Sequence, residues 1–266
     1  MKKKILITGA AGNLGGRLFN ILSKKYFVIG TDIKRSNKNF KNSKFILCDL
    51  KNYKKVLKIT KKIYAIVHFG SIPIEDTFKN ILNNNILATY NVFEAARINK
   101  VKKIIFASSN HVVGFHKRKI FLDEKCMQRP DTNYGLSKCF GENIARLYAD
   151  KFNIKGFCIR IGSCLDRPTD RRHLSTWISP NDLVQLVDIG ISKKYHFEIV
   201  YGISNNNRSW WNNKAAFKLG YKPKDYAENY SNKSLSRNEH VSKIALRFQG
   251  GVFVSNGFKG IIDDIK

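Results

Sequence analysis

Tyr134 and Lys138, in the run Tyr-Gly-Leu-Ser-Lys, put a phenol and an ammonium four positions apart. On a helix these side chains share a face. A neighbouring cation favours phenolate over phenol, lowering a pKa of about 10 towards the range where a side chain serves as general base near neutral pH. A core tyrosine beside a solvated lysine has the same spacing, so the meaning of the pair depends on what precedes it. Ahead of it stands Ser108-Ser109-Asn110-His111, a polar cluster that directly follows the apolar run Lys103-Ile104-Ile105-Phe106-Ala107.

Such groups need a scaffold, and the N-terminal half supplies one. Ile5-Leu6-Ile7-Thr8 predicts a strand, Gly9-Ala10-Ala11-Gly12-Asn13-Leu14-Gly15 a loop, and Leu18, Ile21 and Leu22 the apolar face of a helix. Gly-x-x-Gly-x-x-Gly in that setting is a phosphate-cradling turn, with the anion at the helix N-terminus. Gly9, Ala11, Gly12, Asn13, Leu14 and Gly15 are therefore assigned to a dinucleotide. The next apolar run, Tyr26 to Gly30, ends in Thr31-Asp32, which places a carboxylate where the adenosine ribose would lie. Asp32 favours NAD over NADP, because it can accept from ribose hydroxyls and repels a 2′-phosphate; Lys34 and Arg35 are cations that could meet such a phosphate.

Phe45 to Cys48 predicts a third strand leading to Asp49 and Leu50 at the adenine. Ala65 to His68 predicts a fourth, ending in Phe69, Gly70 and Ser71 near the cofactor. Phe78 to Ile98 predicts one long helix carrying Asn85, and Lys103 to Ala107 a fifth strand. This alternation implies an α/β fold: a Rossmann-type doubly wound parallel sheet with helices on both faces and ligands at the carboxyl ends of the strands. The main strands are expected to be complete at Ile161, itself assigned to the cofactor site. Residues 1–266 then form a single NAD-binding domain, with 162–266 contributing a small substrate-binding portion. Ser179-Pro180-Asn181-Asp182 predicts a helix start with a capping-box-like arrangement.

Bulk properties narrow the classes. The 266 residues carry a formal charge of +28, which raises the question of nucleic acid or another anionic partner. The lysines recur throughout the chain, among many asparagines and isoleucines, as a codon bias would leave them. No nucleic-acid partner is expected, and attraction of anionic substrates remains as a by-product. The five cysteines are scattered without C-x-x-C spacing, and the six histidines form no H-x-x-x-H pair, so neither disulfides nor a metal is expected. No apolar run has the length of a membrane span, and a cytoplasmic protein is expected.

Glycine loop, serine, tyrosine and lysine in this order resemble the short-chain dehydrogenase/reductase superfamily in its extended, sugar-modifying branch. The resemblance implies Ser109, Tyr134 and Lys138 as the catalytic trio, with Tyr134 and Lys138 also at the cofactor. Longer words sharpen it: Ser108 to His111, Tyr134 to Glu142, Arg160 to Cys164, Arg172 with Leu174 to Trp177, Trp210-Trp211, and Arg247 to Gly251 are similar to uronate dehydrogenases over nearly the whole chain. That likeness implies NAD-dependent oxidation of a free hexuronic acid at C1 to the aldarolactone, in a homo-oligomer. It assigns substrate contacts to Ser71, Ser109, Asn110, His111, Tyr134 and Ser163, and carboxylate anchoring to Arg172, whose planar fork suits a carboxylate. By position alone, Arg172 beside Arg171 reads as a surface charge. The loop from His116 to Asp131, with Lys117, Arg118 and Lys119, departs from these relatives and bears on specificity at the pocket mouth.

Two rivals stand. A nucleotide-sugar epimerase or dehydratase of the same superfamily would use the same trio, but only about a hundred residues follow the sixth strand, short for a nucleotide diphosphate site. A non-catalytic NAD-sensing or RNA-binding protein would have no need of the phenol.

Overall fold

Lys4–Thr8 forms strand β1, with Ile5, Leu6 and Ile7 wholly buried. An apolar run buried on both faces is what a central parallel strand requires. The computed structural model describes residues 2–36, 41–231, 235 and 242–265. After β1 come helix α1 (Asn13–Leu22), β2 (Phe27–Asp32), β3 (Ser43–Leu47), α2 (Tyr53–Ile59), β4 (Ala65–His68), α3 (Phe78–Ile81), α4 (Ala88–Ile98), β5 (Lys103–Ser109), α5 (Asn133–Phe152) and β6 (Lys155–Ile161). The C-terminal part adds β7 (Ser163–Cys164), α6 (His173–Thr176), β8 (Trp177–Ile178), α7 (Pro180–Ser192), β9 (Phe197–Gly202), α8 (Lys214–Lys218) and α9 (Lys243–Arg247).

Among the described residues, seven strands make one parallel sheet in the order β3-β2-β1-β4-β5-β6-β9. The order reverses between β1 and β4, and that switch point opens a crevice at the strands' carboxyl ends. One apolar cluster, with Phe19, Leu22, Phe157 and Leu186, fills the face under α1 and α7. A second, with Val92, Phe93, Ile144 and Tyr148, fills the face under α2, α4 and α5.

Three expectations change. The sheet does not end with β6: β9 pairs with it in parallel from Gly156↔Phe197 to Ile161↔Gly202, because Val200 and Tyr201 are buried as a further core strand. The helix over 78–98 is continuous but not uniform, since Leu82–Leu87 is π-helical, a bulge that commonly marks a functional segment. The start of α7 is only half a capping box. Ser179 Oγ accepts from the Asp182 N–H at 3.1 Å, but the Asp182 carboxylate turns away to Ser204 Oγ at 2.6 Å and the Lys224 N–H at 2.9 Å, tying down the 204–225 segment instead.

Candidate active site

A cleft of about 920 Å³ runs across the switch point, within the range of small-molecule sites. At one end the glycine loop needs its glycines. Gly9 has φ +71, and a Cβ on it would sit 2.8 Å from the Phe69 carbonyl oxygen. A Cβ on Gly15 would sit 2.0 Å from the Gly9 carbonyl oxygen, so only glycine lets α1 start this close to β1. The α1 N-terminus has neither a side-chain cap nor an acidic residue in its first turn, leaving free N–H groups and the positive dipole end for a pyrophosphate. Asp32, at the tip of β2, accepts from the Ala11 N–H and the Lys34 N–H, each at 3.1 Å, which aims the carboxylate into the cleft it lines. These residues fit a dinucleotide.

Nearly every residue assigned from sequence lines this one cleft: Gly9, Gly12, Asn13, Leu14, Gly15, Asp32, Asp49, Leu50, Phe69, Gly70, Ser71, Ser109, Asn110, His111, Tyr134, Lys138, Ile161, Ser163 and Arg172. Ala11 and Asn85 stand one layer back. Ala11 serves through its N–H on Asp32. Asn85, on the π-helical turn, accepts from the Ile72 N–H at 2.8 Å and donates to the Ile72 carbonyl at 3.0 Å and to Ser137 Oγ at 3.1 Å. It thereby pins the loop carrying Ser71 against α5.

That helix starts where Thr132 caps it, Oγ1 accepting from the Gly135 N–H at 3.0 Å. Glu75, from the Ser71 loop, takes the Asn133 and Tyr134 N–H groups at 3.2 and 2.8 Å, so a carboxylate from another element satisfies the first turn. Tyr134 and Lys138 then share a buried face, with the Lys138 ammonium 5.3 Å from the Tyr134 ring centre and donating to Ser71 Oγ at 3.0 Å.

Their electrostatics differ from what spacing alone predicts. Burial pushes the Tyr134 phenol up to about 12, against the downward pull of its hydrogen bond with Ser109 and with a smaller upward push from Asp131. Burial also pushes Lys138 down to about 7. Desolvation disfavours both charged forms, and it outweighs the attraction that the i, i+4 spacing suggests.

Beside the pair, His111 Nδ1 lies 2.7 Å from Asp131 Oδ2, and the Phe253 ring stacks on the imidazole with centres 3.9 Å apart. Asp131 is enclosed so tightly that a Cβ on Gly114 or on Gly250 would fall 1.9 Å from its Oδ2. Arg172 is no surface charge. Its Nη2 donates to the Gln249 carbonyl at 2.7 Å, and with the Asn110 amide oriented to satisfy both its ends, also to Asn110 Oδ1 at 3.0 Å. Nη1 has only a long contact with Ser163 Oγ at 3.5 Å, and Nε is buried with no partner among the described residues. Burial, then the nearby Arg118, push this guanidinium down to about 10. The fork expected to grip a carboxylate is therefore partly held by the backbone, and Nε and Nη1 are the donors least committed within the protein.

Of the tryptophans, Trp177 and Trp211 are packing residues, only 1% and 2% exposed, and Trp210 lies under two arginines. Cys164 lines the cleft, but burial pushes its thiol up to about 12, which suits packing. Sequence reasoning missed Glu75, Asp131 and Phe253. The Gly250-Gly251 pair before Phe253 was a visible signal of close backbone approach; Glu75 and Asp131 carried none, because their partners are distant in sequence.

The family model for the NAD dependent epimerase/dehydratase family matches residues 5–181. Uronate dehydrogenase of Pseudomonas syringae pv. tomato is 38% identical over 258 residues, covering 96% of this chain and 94% of that protein. That of Pseudomonas putida is 42% identical over 230 residues, covering 85% and 86%. The crystal structure of an Agrobacterium tumefaciens uronate dehydrogenase, a tyrosine-to-alanine variant complexed with NAD, superposes with a TM-score of 0.90 at 37% identity, covering 97% of this chain and 99% of the other. The chain therefore belongs to the NAD-dependent epimerase/dehydratase family and, within it, to the uronate dehydrogenases, NAD-dependent oxidoreductases on a Rossmann-type fold.

Proposed function

We propose that this enzyme oxidises a free hexuronic acid, galacturonate or glucuronate, at C1 to the aldarolactone, with Tyr134 as general base. The observation that carries this reading is the placement of Tyr134 and Ser109 in the same cleft as Arg172, Asn110 and Ser163, with the glycine loop at the other end. NAD supplies the hydride acceptor. Tyr134 takes the C1 hydroxyl proton, and Ser109, which lines the same cleft, orients that hydroxyl. Lys138 holds the nicotinamide ribose and, when protonated, favours the phenolate. Arg172 and Ser163 receive the carboxylate, and Asn110, His111 and Ser71 meet the sugar hydroxyls. Fixing the sugar at both ends sets which carbon faces the cofactor, and such positioning can supply much of the rate enhancement.

Residues 162–266 complete this site within a single NAD-binding domain. Self-association into a homo-oligomer is supported by large apolar side chains left exposed on the outer faces of α4 and α5, among them Tyr90, Ile98, Leu136 and Leu147. The enzyme is taken as cytoplasmic and without a nucleic-acid partner; among the described residues no helix is long and apolar enough to cross a membrane. The test is NADH formation with galacturonate and with glucuronate, beside NADP and UDP-glucose. Cofactor binding without turnover of either uronate would overturn the substrate assignment.

A further inference from the structure

The loop from His116 to Asp131 puts a second guanidinium, that of Arg118, into the substrate end of the cleft. The Arg118 backbone N–H donates to the Arg247 carbonyl at 2.9 Å. Its side chain donates from Nε to the Phe248 carbonyl at 3.1 Å and from Nη2 to the Ala245 carbonyl at 2.7 Å. These bonds close the carbonyl end of α9 and hold the guanidinium rigidly. They leave Nη1 without a protein partner among the described residues, in a side chain that lines the cleft. The guanidinium carbons of Arg118 and Arg172 lie 5.1 and 5.9 Å from the centre of the same Trp210 ring, so the two cations flank one indole.

The nearby carboxylates are already committed within the protein. Asp131 is held by His111 and acts on Arg172. Asp170 acts on both arginines, and its carboxylate also holds the His173 N–H at 2.9 Å. One uronate carboxylate carries one charge, which Arg172 already meets. Each guanidinium destabilises the charge of the other by like-charge repulsion, and a ligand group bearing two negative charges relieves this better than a group bearing one. Arginine suits phosphate oxygens as well as carboxylate.

Resting on the reading above that sugar C1 faces Tyr134, we propose that Arg118 and Arg172 together accept a dianionic terminal group, making hexose 6-phosphates a second substrate class. The chemistry is that of the uronate. The C1–H bond breaks with its electron pair leaving as hydride to NAD, the C1 hydroxyl proton goes to Tyr134, and C1=O forms to give the 6-phosphoaldonolactone and NADH.

The experiment measures NADH formation by the full chain and by Arg118→Gln and Arg118→Lys, with galactose, galacturonate and galactose 6-phosphate. The wild type is expected to oxidise the 6-phosphate. In Arg118→Gln the fall in kcat/KM is expected to follow ligand charge, smallest for galactose, about threefold for galacturonate and at least about tenfold for the 6-phosphate, mostly in KM. Arg118→Lys, which keeps the charge but loses the fork, is expected to fall between them. Oxidation of galacturonate without the 6-phosphate overturns the proposal and leaves the uronate reading intact. Equal losses on all three sugars also overturn it, since Arg118 would then serve only to hold α9. No oxidation of any sugar by protein that binds NAD removes the uronate reading and this proposal with it.

Discussion

His68, at the end of β4, is a buried base whose protonation should loosen the cofactor site. Thr8 Oγ1 accepts from the Phe69 and Gly70 N–H groups at 3.1 and 2.9 Å, which occupies both its lone pairs. Its O–H must therefore donate to His68 Nδ1, 2.8 Å away, and His68 carries its proton on Nε2, facing Thr89 Oγ1 at 3.1 Å. A second proton on Nδ1 would meet an oxygen with nothing left to accept it. Burial, with a smaller contribution from Lys138, pushes the imidazole from 6.5 down to about 3. The folded pKa is depressed, so above pH 6.5 both states are neutral and the group has no effect. As pH falls below 6.5 the unfolded chain takes up a proton that the folded chain refuses, and stability declines until about pH 3. Two pH units below the unfolded value, at pH 4.5, this amounts to roughly 3 kcal/mol at 1.36 kcal/mol per unit. In a chain of this size that corresponds to a Tm fall on the order of 5–10 °C. His68→Gln keeps an acceptor for Thr8 and a donor for Thr89 but cannot titrate. Thermal unfolding of both proteins at pH 7.0 and 4.5 isolates the effect, since other acid-sensitive groups are shared. The wild type should lose that much more Tm than the variant, and NAD affinity should weaken with it because Phe69 and Gly70 line the cleft. Parallel losses in the two proteins would refute the hydrogen-bond argument.

Other expectations follow from the same geometry. Tyr134→Phe should lower kcat by about 10²–10⁴-fold, the usual worth of a positioned acid or base, with NAD binding retained in a fluorescence titration. Because burial holds the Tyr134 phenol near 12, the deprotonated base grows with pH, and uronate oxidation should accelerate from pH 6, less steeply above about 7 where Lys138 loses the charge that favours the phenolate; a flat profile would count against the phenol as base. Gly114→Ala forces its Cβ to within 1.9 Å of Asp131 Oδ2, which should destabilise the fold by about 1–3 kcal/mol in chemical denaturation and raise the uronate KM through His111. Asp32→Ala should raise the KM for NAD and narrow the preference over NADP, measured by initial rates with both cofactors.

Local patterns made much of this enzyme legible in its sequence. The strand, Gly9 to Gly15 and the helix after it announced a dinucleotide turn because backbone geometry demands glycine there. Tyr134 and Lys138 announced a shared helix face because 3.6 residues make a turn. What depends on distant residues stayed hidden. The seventh strand was missed because Phe197–Gly202 has no neighbouring motif and acquires its place only by pairing with β6. The hold of Glu75 on α5, the His111–Asp131 pair and the Phe253 stack join segments 20 to more than 100 residues apart. The charge states were decided by the fold as well. Spacing puts Lys138 beside Tyr134 and predicts an acidic phenol; burial, which no spacing encodes, pushes the phenol up and the ammonium down. Residue types and their spacing thus named the candidate groups that the cleft brings together and the order in which the chain delivers them. Their solvation, and with it how much charge each can hold, came from the packed fold, because desolvation depends on every atom that packs around a group.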